Sequence, residues 1–213
     1  NITTTGDAVD FGDLTVGRTA NTMGGSATRG IFAAGRFPGV GNAKTTIDYV
    51  TFSSSGGAND FGNLNYDACT SAGFSDATRG IFSGGYDGNN SPYPRTTAMA
   101  YVNIATTGDS NRFGELSVAR RHAASMASPT RGVFATGKND SLSSYLKVID
   151  FIIIQTQGTA VTFGEISTNG REQSVGAGNK TRGLIAGGLE SPTPFQSIDF
   201  ITLATEGNGQ DFG

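Results

Sequence analysis

Six residues spelled the same way twice constrain this chain more than any other feature in it. "ATRGIF" fills residues 27–32 and returns letter for letter at residues 77–82. Looser copies, "PTRGVF" and "KTRGLI", fill residues 129–134 and 180–185. The arginines fall at Arg29, Arg79, Arg131 and Arg182, at spacings of 50, 52 and 51. A second marker keeps step. Phe-Gly recurs at Phe11, Phe61, Phe113, Phe163 and Phe212, at spacings of 50, 52, 50 and 49. Two markers that hold one period along the whole chain define a structural unit used repeatedly, and a period of about fifty is that of a propeller blade. The repeats are residues 10–59, 60–111, 112–161 and 162–210, with partial repeats at residues 1–9 and 211–213.

Each unit reads as four strands. "RGIFAAG" is a short apolar run bounded by glycine, too short for a helix and suited to a strand buried on both faces. Its small-residue tail (Ala33, Ala34 and Gly35 in the first unit) predicts that this strand lies innermost, where backbones crowd. A polar stretch of variable length follows. "IDYVTF" and its counterparts "MAYVNI", "IDFIII" and "IDFITL" are rich in β-branched and aromatic residues, as strands are. A glycine-bearing turn leads into "DFGDLTV", the partner strand. "TANTMGGSA" is a weaker strand that returns to the next TRG. Glycines recur too densely for a helix to fit between them. A lone sheet of four such strands cannot bury both faces, whereas like sheets stacked radially can. The expected fold is an all-β propeller of four-stranded blades, four of them in this chain.

Glycine supplies 32 of 213 residues without a collagen period, which fits many tight turns. The net charge of −3 gives no electrostatic case for nucleic acid. The single cysteine, Cys69, cannot close an internal disulfide. No apolar run approaches the length of a membrane span, so membrane insertion is not expected. The chain shows no signal peptide and does not begin with Met, and the doubled phase at its two ends predicts a segment cut from something longer.

The period, the Gly-Gly ends at Gly84-Gly85 and Gly187-Gly188, and the aromatic in the later strand resemble kelch repeats. Two units carry Ala34-Gly35 and Thr136-Gly137 instead, and the chain has no Trp. At the level of phrasing ("TRGIFAAG", "IDYVTF", "TGDAVDFGDLTVGR") it is similar to kelch-like repeat proteins of marine bacteriophages. That resemblance implies a virion or tail-fibre component. Its setting would be extracellular, its role structural or host-binding, and its partners other virion proteins or host-surface glycans and proteins. It implies no cofactor, and self-association is open.

"DFG" is shared with the magnesium-binding motif of protein kinases, but the companions that motif requires are absent. The acid drifts to Arg112 and Thr162 while Phe-Gly stays, so Phe11, Phe61, Phe113 and Phe163 are assigned to packing. The four TRG arginines are assigned to the framework, as planar forks that lock strand ends or adjacent blades, with Asp48, Asp150 and Asp199 as partners. Ala100 takes that place in the second unit. His122, the only histidine, corresponds to Ala20, Thr70 and Gln173. With one histidine and one cysteine, no triad, zinc set or phosphate loop can be assembled, and no catalytic or metal-binding residue is expected.

The stretches that follow the TRG strand vary in length and sequence while the framework holds. They carry Phe37, Tyr86, Tyr93, Tyr145 and Phe195. Loop aromatics either stack on sugars and anchor partners or cover sheet edges. These five are the candidate ligand-binding residues. The expected function is a non-enzymatic virion or tail-fibre module. The rivals are a cellular, lectin-like carbohydrate-binding propeller and, with less support, a propeller enzyme.

Overall fold

The computed structural model describes residues 6–37, 43–87 and 95–213. Among these residues twenty strands and no helix are formed. The first sheet holds β1 (Thr22–Gly25), β2 (Arg29–Ala33), β3 (Lys44–Thr51) and β4 (Asn59–Ala68). The second holds β5 (Ala72–Ser75), β6 (Arg79–Ser83), β7 (Ala98–Asn103) and β8 (Asn111–Glu115). The third holds β9 (Ala124–Ala127) and β10 (Arg131–Ala135). After a small hairpin of β11 (Lys138–Asn139) and β12 (Ser144–Tyr145), β13 (Val148–Ile153) and β14 (Val161–Glu165) complete it. The fourth has β15 (Val175–Gly178) and β16 (Arg182–Ala186), then a hairpin of β17 (Leu189–Glu190) and β18 (Thr193–Pro194), then β19 (Ile198–Thr202) and β20 (Gln210–Asp211). Each sheet is an antiparallel meander in chain order. All four therefore follow the expected sequence: weak strand, TRG strand, aromatic strand, Phe-Gly strand. The sheets run out of phase with the sequence repeat, because each takes its last strand from the start of the next repeat.

The sheets stack in chain order, and each junction buries one cluster. Ile31, Ile47 and Phe61 of the first sheet meet Phe82, Val102 and Ile104 of the second. Phe74, Ile81 and Phe113 meet Phe134, Ile152 and Ile154. Met126, Val133 and Phe163 meet Ile185, Ile201 and Leu203. Each fully buried side chain of this size contributes about 1.5–3 kcal/mol. Two glycines show how close the sheets come. A Cβ on Gly132 would lie 1.8 Å from the Phe74 ring, and one on Gly114 would lie 1.9 Å from the Gly158 carbonyl oxygen. Any side chain at either position would drive the sheets apart.

The expectation that the TRG strand lies innermost is corrected. The weak strands β1, β5, β9 and β15 crowd one another instead. Ser75 Oγ accepts from Gly25 N–H at 2.7 Å and donates to the Gly25 carbonyl at 2.6 Å. Ser125 Oγ donates to the Gly73 carbonyl at 2.8 Å. The weak strands carry the small residues that let backbones touch, whereas the small tail after each TRG strand serves a turn. In that tail Ala34 and Thr136 both have φ of 62°.

The outer strands are tied as regularly. The carbonyls of Phe61, Phe113 and Phe163 accept from Gly108, Gly158 and Gly207 N–H in the next sheet's hairpin, at 2.7, 2.9 and 3.0 Å. Phe61, Phe113 and Phe163 are 2–4 % exposed. They meet Tyr49, Tyr101 and Phe151 edge-on at centroid distances of 5.9, 6.1 and 5.8 Å. Phe11 is 38 % exposed, yet its carbonyl takes the same bond from Gly56 N–H, at 2.7 Å. Phe61, Phe113 and Phe163 thus lie buried at the three junctions. Among the described residues no hydrogen bond joins the fourth sheet back to the first, and Met23 and Val175 on their weak strands are 61 % and 69 % exposed. The described residues form no closed ring.

Candidate functional site

The loops after the TRG strands and the links between consecutive sheets share one edge of the stack. Four equivalent residues hold that edge in an unusual backbone conformation. Ala20, Thr70, His122 and Gln173 have φ of 57°, 59°, 52° and 60°, a strained region for any residue with a side chain. Thr70 N–H donates to Ala20, His122 to Thr70 and Gln173 to His122, at 3.0, 3.1 and 3.0 Å. The alignment that placed His122 with Ala20, Thr70 and Gln173 is thus a physical equivalence. His122 occupies a backbone slot in which the side chain is free to vary.

Beside this line runs a polar belt that crosses all four units. Arg36 donates to Tyr86 Oη at 3.1 Å, and the Arg95 guanidinium lies 4.7 Å from the Tyr86 ring centre. Arg95 Nε also donates to Asp140 at 2.6 Å, and Arg121 Nε does so at 2.9 Å. Arg121 pairs onward with Glu172 at 2.9 Å, and the same carboxylate lies 2.8 Å from His122 Nδ1. Lys138 donates to Tyr145 Oη at 3.3 Å, and that oxygen also accepts from Ser191 N–H at 3.1 Å.

Burial works against ionisation of Asp140, but hydrogen bonds from Arg121 and Arg95 outweigh it and hold its pKa down to about 2. Burial lowers the pKa of His122; its hydrogen bond to Glu172 opposes this and the charge of Arg121 adds to it. His122 therefore stays neutral at pH 7. Burial raises the pKa of Cys69, whose Sγ lies 3.6 Å from the Tyr86 carbonyl, so it stands as a thiol, a poor nucleophile. Among the described residues no group of three His, Cys, Asp or Glu could hold a metal ion.

The four candidate aromatics among the described residues sit on or beside this belt, each facing a cation. Lys44 lies 5.2 Å from the Phe37 ring centre, Lys138 4.7 Å from Tyr145 and Arg171 5.7 Å from Phe195. Tyr86 and Tyr145 bridge neighbouring units, while Phe37 is 40 % exposed. Tyr93 lies outside the described residues. The four described ones, Phe37, Tyr86, Tyr145 and Phe195, are not brought into one pocket. They are distributed along the stack with the repeat.

The partners expected for the TRG arginines are corrected. Asp48 lies opposite Phe32 in the β2–β3 register and Arg29 lies opposite Thr51, so the arginine stands at the far end of the strand from the acid. Three of the four TRG arginines reach into the next sheet instead. Arg29, Arg79 and Arg131 donate to the carbonyls of Ile104, Ile154 and Leu203 at 3.0, 3.0 and 3.3 Å. Each also covers an aromatic ring of its own sheet: Tyr49, Tyr101, Phe151 and, for Arg182, Phe200, at 4.7–4.8 Å. The aspartates pair with three arginines that the sequence reading passed over. Arg18–Asp48, Arg120–Asp150 and Arg171–Asp199 close at 3.0, 2.8 and 2.7 Å, and all six side chains are fully buried. A β-bulge beside Asp48 and Asp150 turns the acid into the junction. The signal lay in the sequence, since Arg18, Arg120 and Arg171 stand at one constant spacing ahead of a TRG arginine.

No family model matches the chain, and no curated protein matches it in sequence.

Proposed function

We propose that this chain is an arc of a β-propeller built of kelch-like blades. It acts without catalysis, as a virion or tail-fibre module that builds structure or grips a host surface. One observation carries the reading: the framework repeats link for link, and the chemistry displayed at its loop edge does not. The bridged pairs Thr19–Arg36, Cys69–Tyr86, Arg121–Lys138 and Glu172–Leu189 occupy corresponding positions, yet bring together a hydroxyl and a cation, a buried thiol and a phenol, two cations, and a buried acid and an apolar side chain. A surface whose backbone is fixed and whose side chains are free to diversify suits recognition. An aromatic paired with a cation in each unit suits a polyhydroxylated or anionic surface glycan.

The test is binding of the recombinant chain to isolated host-surface polysaccharide and to host cells, with thermal melting measured beside it. Replacing Phe37, Tyr86, Tyr145 and Phe195 singly by Ala is expected to weaken binding, at nearly unchanged melting temperature for the exposed Phe37 and with a modest fall for the three whose rings also hold neighbouring groups. Full binding by the fourfold variant would refute these loops as the contact surface.

A further inference from the structure

The edge of the stack opposite the polar belt, where the TRG strands begin, carries a polar pocket that plays no part in the proposed function. It lies at the junction of the first and second sheets, has a volume of about 280 Å³, and is lined by Ser26, Thr28, Arg29, Ala77, Ile104 and Ala105. That is the lower end of the range of about 300–1,000 Å³ typical of ligand pockets, a size that suits a small solute.

Arg29 is held rigidly in this pocket and its charge is unspent. Its Nη1 donates to the Ile104 and Ala105 carbonyls at 3.0 Å each, and its guanidinium lies 4.8 Å from the Tyr49 ring centre. Among the described residues Arg29 alone of the four TRG arginines is held by two carbonyls. Among the same residues it has no carboxylate partner, and its Nε and Nη2 make no hydrogen bond. Those two nitrogens form an edge that takes both oxygens of one carboxylate in parallel bonds. Ser26 Oγ accepts from Thr28 and Arg29 N–H at 3.2 Å each, and lies 3.3 Å from Thr28 Oγ1. One of these hydroxyls donates to the other, so the second keeps a proton for a further acceptor. Asp76, the acid next to Ala77 in the chain, is turned to Thr78 and Arg79 N–H at 2.6 and 2.7 Å.

The junction between the second and third sheets shows the same place closed. Asp76 stands where Ser26 does, and Gln155 where Ala105 does. Gln155 Nε2 donates to Asp76 Oδ2 at 2.6 Å and to Thr78 Oγ1 at 3.1 Å. The amide bridges the gap that alanine leaves open, and a carboxylate already occupies the turn. At the junction of the third and fourth sheets Ser128 and Ala204 return, but Ser128 is 7 % exposed and its hydroxyl donates to the Arg131 carbonyl at 3.4 Å. That hydroxyl is spent inside its own turn.

We propose that the pocket at the first junction binds a carboxylate, carried by a small acid or by an acidic sugar. Arg29 Nε and Nη2 donate to its two oxygens, and the free hydroxyl of the Ser26–Thr28 pair donates to one of them. The site lies at the other end of β2 from the variable loops, so it neither needs the loop-edge aromatics nor competes with them.

An NMR titration of the chain with sodium glucuronate, sodium acetate and neutral glucose, at one ionic strength, tests this through the amide signals of Thr28, Ala77 and Ala105. Glucuronate and acetate are each expected to move these signals along a saturating curve, and glucose to leave them in place. Tighter binding of glucuronate identifies an acidic sugar as the source of the carboxylate; acetate binding at least as tightly identifies a small acid. Signals that neither acid moves, or that glucose moves as far, overturn the proposal. The double variant Ser26→Asp with Ala105→Gln copies the closed junction. It should keep the melting temperature and weaken binding of both acids about tenfold or more. Arg29→Lys keeps the charge, loses the fork and should weaken binding by a similar factor of about ten. Undiminished binding by either variant also overturns the proposal. Shifts confined to the polar belt overturn it too and leave the proposed function standing, whereas loss of host-polysaccharide binding with these three signals still responding does the reverse.

Discussion

The junction between the first and second sheets and the one between the second and third are built on one plan and differ most in one buried pair. Where the later junction buries Arg120 against Asp150, the earlier one has Ala68 against Ala100, both fully buried in an apolar cluster. The exchange is complete: both charges are present or both are gone. Removing one partner from a buried pair strands the other charge at a cost of about 3–5 kcal/mol, whereas replacing both by apolar groups is often neutral. The sheets therefore do not need the ion pair in order to stack. Where it exists, the pair is an interlocked unit. Arg120 also donates to the carbonyls of Thr136 and Val148, at 3.1 and 3.0 Å, and Ser117 Oγ to Asp150 at 2.6 Å.

The largest expected effect breaks the pair on one side. Arg120→Ala should lower stability by about 3–5 kcal/mol in denaturant unfolding. The double variant Arg120→Ala with Asp150→Ala, which copies the earlier junction, should recover most of the loss. A double variant as unstable as the single one would show that the alanine junction depends on its other neighbours.

The reverse experiment sharpens the same contrast. Ala100→Asp alone places an unpaired carboxylate in a dry cluster and should cost about 3 kcal/mol, largely by raising the pKa of the new acid. Adding Ala68→Arg should restore part of this, if the apolar junction has room for the guanidinium.

The TRG arginines should matter less. Arg79→Ala removes one bond to the Ile154 carbonyl and the stack on Tyr101, for a loss of about 2–3 kcal/mol. Arg182→Ala removes a stack alone and should cost no more than about 1 kcal/mol. Equal losses from the two would mean that the bond across the junction contributes nothing.

The smallest effect is on acidification. Burial opposes ionisation of Asp199, but bonds from Ser167, Arg171 and Thr168 and the charge of Arg171 outweigh it, so its folded pKa lies below the ordinary value. Its stabilising contribution is complete above about pH 4 and fades as the pH falls through the folded pKa. The third–fourth junction should loosen in acid before the first–second junction, which has no such pair. Amide hydrogen exchange at pH 4 and at lower pH, compared between β16 and β6, reads this directly. Earlier loosening at β6 would contradict it.

Much of the architecture was legible in the residues. The fifty-residue period, the four strands of each unit, their order and the packing role of Phe-Gly follow from repetition, periodicity and glycine placement. The variable stretches were legible as the part of each unit that departs from the repeat. The polar belt was not, because Arg95, Asp140, Arg121 and Glu172 come from three repeats and no spacing announces them. The partners of the TRG arginines were misjudged for a related reason. A repeat shows that Arg29 and Asp48 keep company in sequence, but strand register sets them at opposite ends of a hairpin.

What the sequence determined by itself is the unit, since local pattern fixes which residues form strands and which turn. What only the tertiary structure decided is how one unit meets the next. The buried Arg–Asp pairs, the arginine that caps a neighbouring sheet and the crowding of the weak strands all depend on groups brought together from distant parts of the chain. Contacts of that kind are set by strand register and by the close approach of backbones, which hydrophobic pattern along a chain does not encode.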